Sequence, residues 1–273
     1  MKSSSVFWGI AFLLTAGRAD GAFERLPLGA RAASLCDASQ LSVGDPFCWG
    51  TNPSLLAKAG STKAAFTYTP GLFGLTDLQR DAAVLRFDAL SGGAGTLFKC
   101  FGNDLYRELS IDAGYGGSLS ENVQAGVSLS LYHLQIEGYG HANAVGLNAG
   151  VCMHIADQVA YGISVLNANS PKIGISQECV GAEFLATAMY APTECCSLML
   201  SVSKPAQSPM CFAAGIEYLL ERVVSLRLGA NEGLSQYGLG VGATLGFAEV
   251  DYGVAIHQEL GITHHFEIAV ELP

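Results

Sequence analysis

The stretch QYGLGVGATLGF, Gln236 to Phe247, alternates along its whole length. Its odd positions, Tyr237, Leu239, Val241, Ala243, Leu245 and Phe247, are apolar, while its even positions are Gln236, Gly238, Gly240, Gly242, Thr244 and Gly246. Period two over such a length dictates a β-strand. Glycine gives up side-chain packing and weakens a strand interior, so a strand with one greasy face and one bare face demands unusual surroundings on both sides.

The pattern recurs toward the end of the chain. In VQAGVSLSLYHL the residues Val123, Ala125, Val127, Leu129 and Leu131 oppose Gln124, Gly126, Ser128 and Ser130, and VGLNAGVCMH, ELSIDAGYG, VAYGISV and EVDYGVAIH read the same way. In the last stretch Phe266, Ile268, Val270 and Leu272 alternate with His265, Glu267, Ala269 and Glu271. Turn-forming residues interrupt the alternation from Lys63 onward, which gives about fourteen strands. Their starts fall near Lys63, Ala82, Gly95, Glu108, Val123, Val145, Val159, Gly181, Cys196, Met210, Val223, Gln236, Glu249 and His264. The connections alternate too. Tight turns (SLSEN, ADQ, PTEC, LER, GFA) take turns with longer loops (QIEGYGHANA, NANSPKIGISQECV, SKPAQSP, NEGLSQ, QELGIT). Outer-membrane barrels carry this asymmetry of short periplasmic turns and longer outer loops.

Composition decides what covers the apolar face. Charged residues make up 14% of the chain and hydrophobic ones 50%, whereas an ordinary soluble domain carries about 25% charge. A secreted β-sandwich also alternates, but its wetted face needs Lys, Glu, Thr and Arg, and here that face is mostly Gly and Ser. Closing the sheet removes the edges through which so apolar a set of strands would aggregate. The expected fold is therefore all-β, a transmembrane antiparallel barrel with lipid as its partner. A net charge of −10 leaves no basic stripe to release phosphate counterions, which excludes nucleic acid. The start, MKSSSVFWGIAFLLTAGRADGAF, has the layout of a signal peptide, assigned to residues 1–22. With no later apolar run long enough for a membrane helix, the mature protein is expected in the outer membrane of a Gram-negative bacterium.

A barrel this wide exceeds the eight-stranded size that its own side chains fill, so its interior needs water or a plug. Residues 23–62 lack period, are broken by Pro27, Pro46 and Pro53, and leave room for one helical turn around Ser54 to Lys58. They are the expected plug inside the lumen, with the barrel proper over 63–273.

The segment GARAASLCDASQLSVGDPFCWGTNPSLLAKAG resembles the N-terminal part of the FadL-like superfamily of outer-membrane barrels, and within it the PorV/PorQ group. The resemblance rests on Gly29, Arg31, Ala32 and Ala33, then on Asn52, Pro53, Ser54 and Leu55, with Ser54 in place of the usual Ala. It continues through NANSPKIG, GIEYLLERVVSLRLGANEGL and VDYGVAIHQELGITHHFEIAVEL. The resemblance implies a fourteen-stranded barrel with its N-terminus folded inside, and Gly29, Arg31, Asn52 and Pro53 as the plug motif. The leading expectation from the resemblance is a PorV/PorQ-type accessory of protein secretion or surface assembly, with secreted proteins or other secretion components as partners, and the alternative is a FadL-type transporter. A FadL-type function implies passage of hydrophobic small molecules. Two departures stand out: the outer loops are short, and the chain ends in VELP where most such barrels end on an aromatic.

The polar parity carries the candidate chemistry. Glu108, Asp112, Glu183, Glu217, Glu249, Asp251, Glu267 and Glu271 fall on it, with Arg86 and Arg227 as its main bases. Facing lipid at mid-depth each would cost about 2 kcal/mol or more, so they belong to the lumen. Arg227 is expected to pair with Glu217, with Arg31 a further partner. His257 and His265 share this parity in the last hairpin, but lacking a third ligand they suggest a polar cap before a metal site. Ser128, Ser130 and His154 mark no nucleophile, so no enzyme and no cofactor is expected. Of the eight cysteines, Cys36 and Cys48 could close a short disulfide loop, and the rest read as small packing residues.

Overall fold

The computed structural model describes residues 22–42, 44–58, 60–175, 177–232 and 235–272. The expected signal peptide therefore lies, Ala22 apart, outside the described residues. The strands are β1 (Thr62–Thr69), β2 (Arg80–Ala89), β3 (Gly92–Gly102), β4 (Tyr106–Ser118), β5 (Val123–Ile136), β6 (Gly140–Ala156), β7 (Val159–Leu166), β8 (Lys172–Ile173), β9 (Glu178–Cys179), β10 (Glu183–Thr193), β11 (Cys196–Pro205), β12 (Cys211–Leu220), β13 (Val224–Asn231), β14 (Gln236–Leu245), β15 (Ala248–His257) and β16 (Gly261–Leu272). All but β8 and β9 join one closed antiparallel barrel of 14 strands, sealed where β1 pairs with β16 from Thr62↔Leu272 to Tyr68↔Phe266. β8 and β9 form a small hairpin in the connection from β7 to β10, which pair directly.

The alternation maps onto the two faces of the wall. In β14, Tyr237, Leu239 and Val241 are exposed on the outside at 52%, 48% and 43%, while Gly238 and Gly242 on the opposite parity are buried. Lipid is what an outward band of Phe, Leu, Ile, Val and Tyr requires, since nothing else satisfies so much apolar area on a closed barrel. Arginine at Leu239 or Val241 is accordingly expected to lower barrel stability by about 2 to 4 kcal/mol if these positions lie near the bilayer midplane. Urea titration of the folded protein in lipid measures it, and unchanged midpoints would overturn the assignment of faces.

The connection QIEGYGHANA is not the long loop its polar and glycine-rich composition suggests. β5 runs to Ile136 and β6 begins at Gly140, with the register continuing to Ile136↔Gly140. Cross-strand pairing overrides local turn propensity here, as it does in QELGIT, where β16 already begins at Gly261. The longest excursions, 70–79 and 167–182, still lie at one end of the barrel, opposite the turns at 90–91, 119–122 and 157–158.

Within residues 22–61 the described elements are α1 (Gly29–Ser34), a 3-10 turn (Cys48–Gly50) and a 3-10 helix (Pro53–Lys58). This segment is where the core sits: Leu35, Leu41, Phe47, Trp49 and Leu56 are among its fully buried side chains. It packs on the inward faces of the strands, and the glycines there are its seats. A Cβ added at Gly238 would meet the Ser34 carbonyl oxygen at 2.3 Å, one at Gly253 the Ala30 oxygen at 2.3 Å, and one at Gly126 the Pro53 oxygen at 2.3 Å. At Gly240 a Cβ would come within 2.4 Å of the Ser34 Cβ. The bare face of QYGLGVGATLGF is thus bare because backbone and small side chains of another segment lie against it.

Candidate functional site

Much of the charge on the inward face is gathered in two knots, with Lys99 and the buried Asp112 paired at 2.7 Å outside them. In the first, register places Glu217 on β12 directly opposite Arg227 on β13, and Arg227 Nε donates to Glu217 Oε2 at 2.6 Å. Arg227 then reaches across β14 to β15, where its Nη1 pairs with Asp251 and its Nη2 with Glu249 Oε1 at 3.4 Å. Glycine in β14 makes that reach possible, since a Cβ at Gly242 would be 2.0 Å from Asp251 Oδ1 and 3.0 Å from Arg227 Nη1. The N-terminal segment ties into the same knot. Arg31, on α1, grips Glu217 with both arms, Nε to Oε2 at 2.8 Å and Nη2 to Oε1 at 2.6 Å, in the fork geometry that suits a carboxylate. Ala30 N donates to Glu267 Oε2 at 2.8 Å. Gly29, at φ +86°, turns the chain into α1 where a Cβ would strike that carboxylate at 2.3 Å. Nearby Asp45 is buried and accepts from the Phe47 amide at 2.7 Å; burial pushes its carboxyl up to about 6, against the pull of Arg31 and the Phe47 amide.

The second knot lies toward the long-loop end. Arg25 grips Glu183 at the start of β10 through Nε at 2.7 Å and Nη2 at 2.8 Å, and also pairs with Asp37. Arg80, at the start of β2, donates to the carbonyls of Pro27 at 2.8 Å and Leu26 at 3.0 Å. Beside it the lumen turns apolar. The Phe23 ring lies 4.6 Å from that of Tyr132, in a cluster with Leu134 of β5, Ile173 of β8 and Val180. Tyr132 keeps its hydroxyl satisfied by donating to Asn167 Oδ1 at 2.7 Å.

Gly29, Arg31, Asn52 and Pro53 all meet the barrel wall, each in its own way. Asn52 Nδ2 donates to Val151 O at 3.4 Å, while its Oδ1 accepts from Ser54 N at 3.2 Å and Ser54 Oγ at 2.7 Å. The serine that replaces the usual alanine thereby gains a bond. Of the lumen charges named from sequence, Glu217, Arg227, Glu249 and Asp251 meet in the first knot, and Glu267 holds Ala30 beside it. Glu271 stands apart near the end of β16, half exposed and 3.8 Å from Lys63. Sequence reasoning missed Arg25, Arg80, Asp37 and Phe23, three of which lie in the aperiodic segment where no parity marks them.

Two arrangements that the sequence left open do not form among the described residues. His257 and His265 do not face each other, for the register sets His265 opposite Gly253 and His257 opposite Gly261. His265 is buried against Thr69, its Nδ1 2.9 Å from the hydroxyl. Cys36 and Cys48 are both free and buried, Cys36 with its thiol 3.6 Å from Gln236 O.

No family model and no curated protein matches the sequence. Among solved structures, the CymD monoaromatic hydrocarbon channel matches with a TM-score of 0.66 at 8% identity, over 89% of this chain and 97% of that one. The Ralstonia pickettii toluene transporter TbuX matches with a TM-score of 0.65 at 8% identity, over 90% of this chain and 98% of that one. A FadL homologue of Pseudomonas aeruginosa matches with a TM-score of 0.64 at 10% identity, over 88% of this chain and 97% of that one. What the chain shares with these proteins is the fold, which in this chain is a closed antiparallel barrel of 14 strands.

Proposed function

We infer that the protein is a passage for small apolar molecules across the outer membrane, with residues 23–62 as the plug of its lumen. The observation that carries this reading is the apolar seat at the long-loop mouth, where Phe23 packs on Tyr132, Leu134, Ile173 and Val180, a cluster separate from the apolar contacts that Val84, Leu97 and Met199 make with the N-terminal segment deeper in the lumen. A polar solute gains nothing there, whereas an apolar one the size of a phenyl ring recovers the transfer free energy of leaving water. The similarity of fold to hydrocarbon and toluene channels supports the same reading. The alternative, a PorV/PorQ-like accessory that holds secreted proteins at the surface, draws on the sequence resemblance alone, and the short outer loops offer it little rim.

Uptake of a labelled monoaromatic compound by cells carrying the protein, against cells lacking it, separates the two. Leu134→Asp or Ile173→Asp, which put a charge in the seat, are expected to reduce uptake about tenfold, the equivalent of a lost contact worth about 1.4 kcal/mol. Uptake that does not depend on the protein, together with loss of surface-held secreted proteins on its deletion, would favour the accessory role.

A further inference from the structure

On the outer wall, the strand register stacks three outward-facing rows across β3 to β6. The lowest, Phe98↔Ile111↔Leu131↔Val145, is wholly apolar. The next, Cys100↔Leu109↔His133↔Asn143, is mixed. The uppermost, Gly102↔Arg107↔Gln135↔His141, is polar and carries a guanidinium. Successive rows lie about 7 Å apart along the strands, so the wall passes from hydrocarbon to hydrogen-bond donors over the height of a lipid headgroup. A groove of 310 Å³ runs between the apolar row and His133 and Asn143.

This gradient is local. On the opposite wall the row Ile216↔Leu228↔Leu239↔Val254 is followed toward the same rim by Ala214↔Ala230↔Tyr237↔Ile256, with no charged or amide side chain in either. The larger groove there, 650 Å³, leads toward Glu232 and Gln258 at that rim, an acid and an amide in place of a cation for a phosphate. At β4 to β6 the donors are grouped. The His133 and His141 rings stack at 5.8 Å, His133 Nδ1 is 2.7 Å from Asn143 Oδ1, and Arg107 lies directly opposite Gln135 in the register. The pair that Arg107 makes with Asp104, 2.8 Å long, leaves Asp104 98% exposed, and such a surface pair holds a guanidinium only weakly.

We propose that the outer face of β3 to β6 is a binding site for a phosphate-bearing lipid of the leaflet at the long-loop rim, its acyl chain in the groove over Ile111 and Leu131 and its phosphate on Arg107, Gln135 and His141. A guanidinium fork suits a phosphate, and interfacial imidazole and amide N–H groups complete its hydrogen bonding. The site is separate from the lumen and does not depend on what the lumen passes.

The test titrates the full-length protein in detergent micelles with phosphatidic acid, with diacylglycerol of the same acyl chains and with inorganic phosphate, reading bound lipid by native mass spectrometry. Phosphatidic acid is expected to stay bound where diacylglycerol does not. Arg107→Ala should weaken it about tenfold, the scale of one charge-assisted bond. Ile111→Trp, which fills the groove, should weaken it with the polar row intact. Heat-modifiable gel migration verifies that each variant is folded. Equal retention of diacylglycerol, full displacement by inorganic phosphate at equal concentration, or indifference to Arg107→Ala would each overturn the site.

Discussion

Deletion of Phe23 to Gly50 is expected to leave a barrel that still inserts but conducts ions, while the intact protein holds them back. The wall closes through strand pairing alone, from β1↔β2 round to β1↔β16, so no residue of the deleted stretch is needed to seal it. The lumen would lose Leu35, Leu41 and Trp49, the side chains that now cover Gly215, Gly162 and Gly95, together with the buried Phe47. Water enters such a hole, because glycine, serine and carboxylate make up much of the exposed face, with Val84, Leu97 and Met199 as its apolar patches. Loss of Arg25 and Arg31 also uncovers Glu183 and Glu217, so the current should favour cations over anions. Conductance in planar bilayers measures both the opening and its selectivity. Gly238→Leu is a second route to the same result, since its side chain collides with the backbone of α1 and leaves the segment no seat. A deletion that inserts yet stays silent would place the segment outside the conduction path; an intact protein that is already open would make it a general porin.

The alternation made the wall legible because lipid and lumen impose opposite chemistry on alternate residues, and that contrast survives without an alignment. β5, β7, β11 and β14 begin at Val123, Val159, Cys196 and Gln236, where the pattern puts them. β6 begins at Gly140, well before Val145, because Gly, His and Asn at the hairpin tip carry turn propensity that the neighbouring strand outvotes. The pairing of Glu217 with Arg227 was readable, being two opposite charges of one parity flanking a short turn. Parity does not report depth, however, so Glu271 looked like Glu267 although one lies at the rim and the other beneath α1. Nor does it report register, which is why His257 and His265 looked like a pair. The segment before β1 has no period at all. Its contacts are dictated by the glycines it meets, and neither Arg25 nor Phe23 carries a local signal of its partner.

Replacing Glu217 by Gln is expected to cost about 3 to 5 kcal/mol, the range for removing one member of a buried charge pair. The size follows from the geometry. One carboxylate holds two guanidiniums, Arg31 bidentately and Arg227 through Nε, in a place where the Arg227 side chain is 0% and the Arg31 side chain 12% exposed. Without the charge, two cations face each other with little water between them. Arg227 retains Asp251 and Glu249 on the far side of β14, so the weaker partner is Arg31, and the loss should fall first on the seating of α1. The single variant should therefore both lower the urea midpoint of the barrel and raise its conductance. Arg31→Met removes the second cation, so the pair Glu217→Gln with Arg31→Met should cost less than the sum of the two singles, a coupling of about 1 to 3 kcal/mol for groups in one network. Additive costs would show that the two residues act apart. A midpoint shift with no change in conductance would show that Glu217 holds the wall together through Arg227 alone, and that α1 keeps its place through the glycine seats and the bond from Ala30 to Glu267.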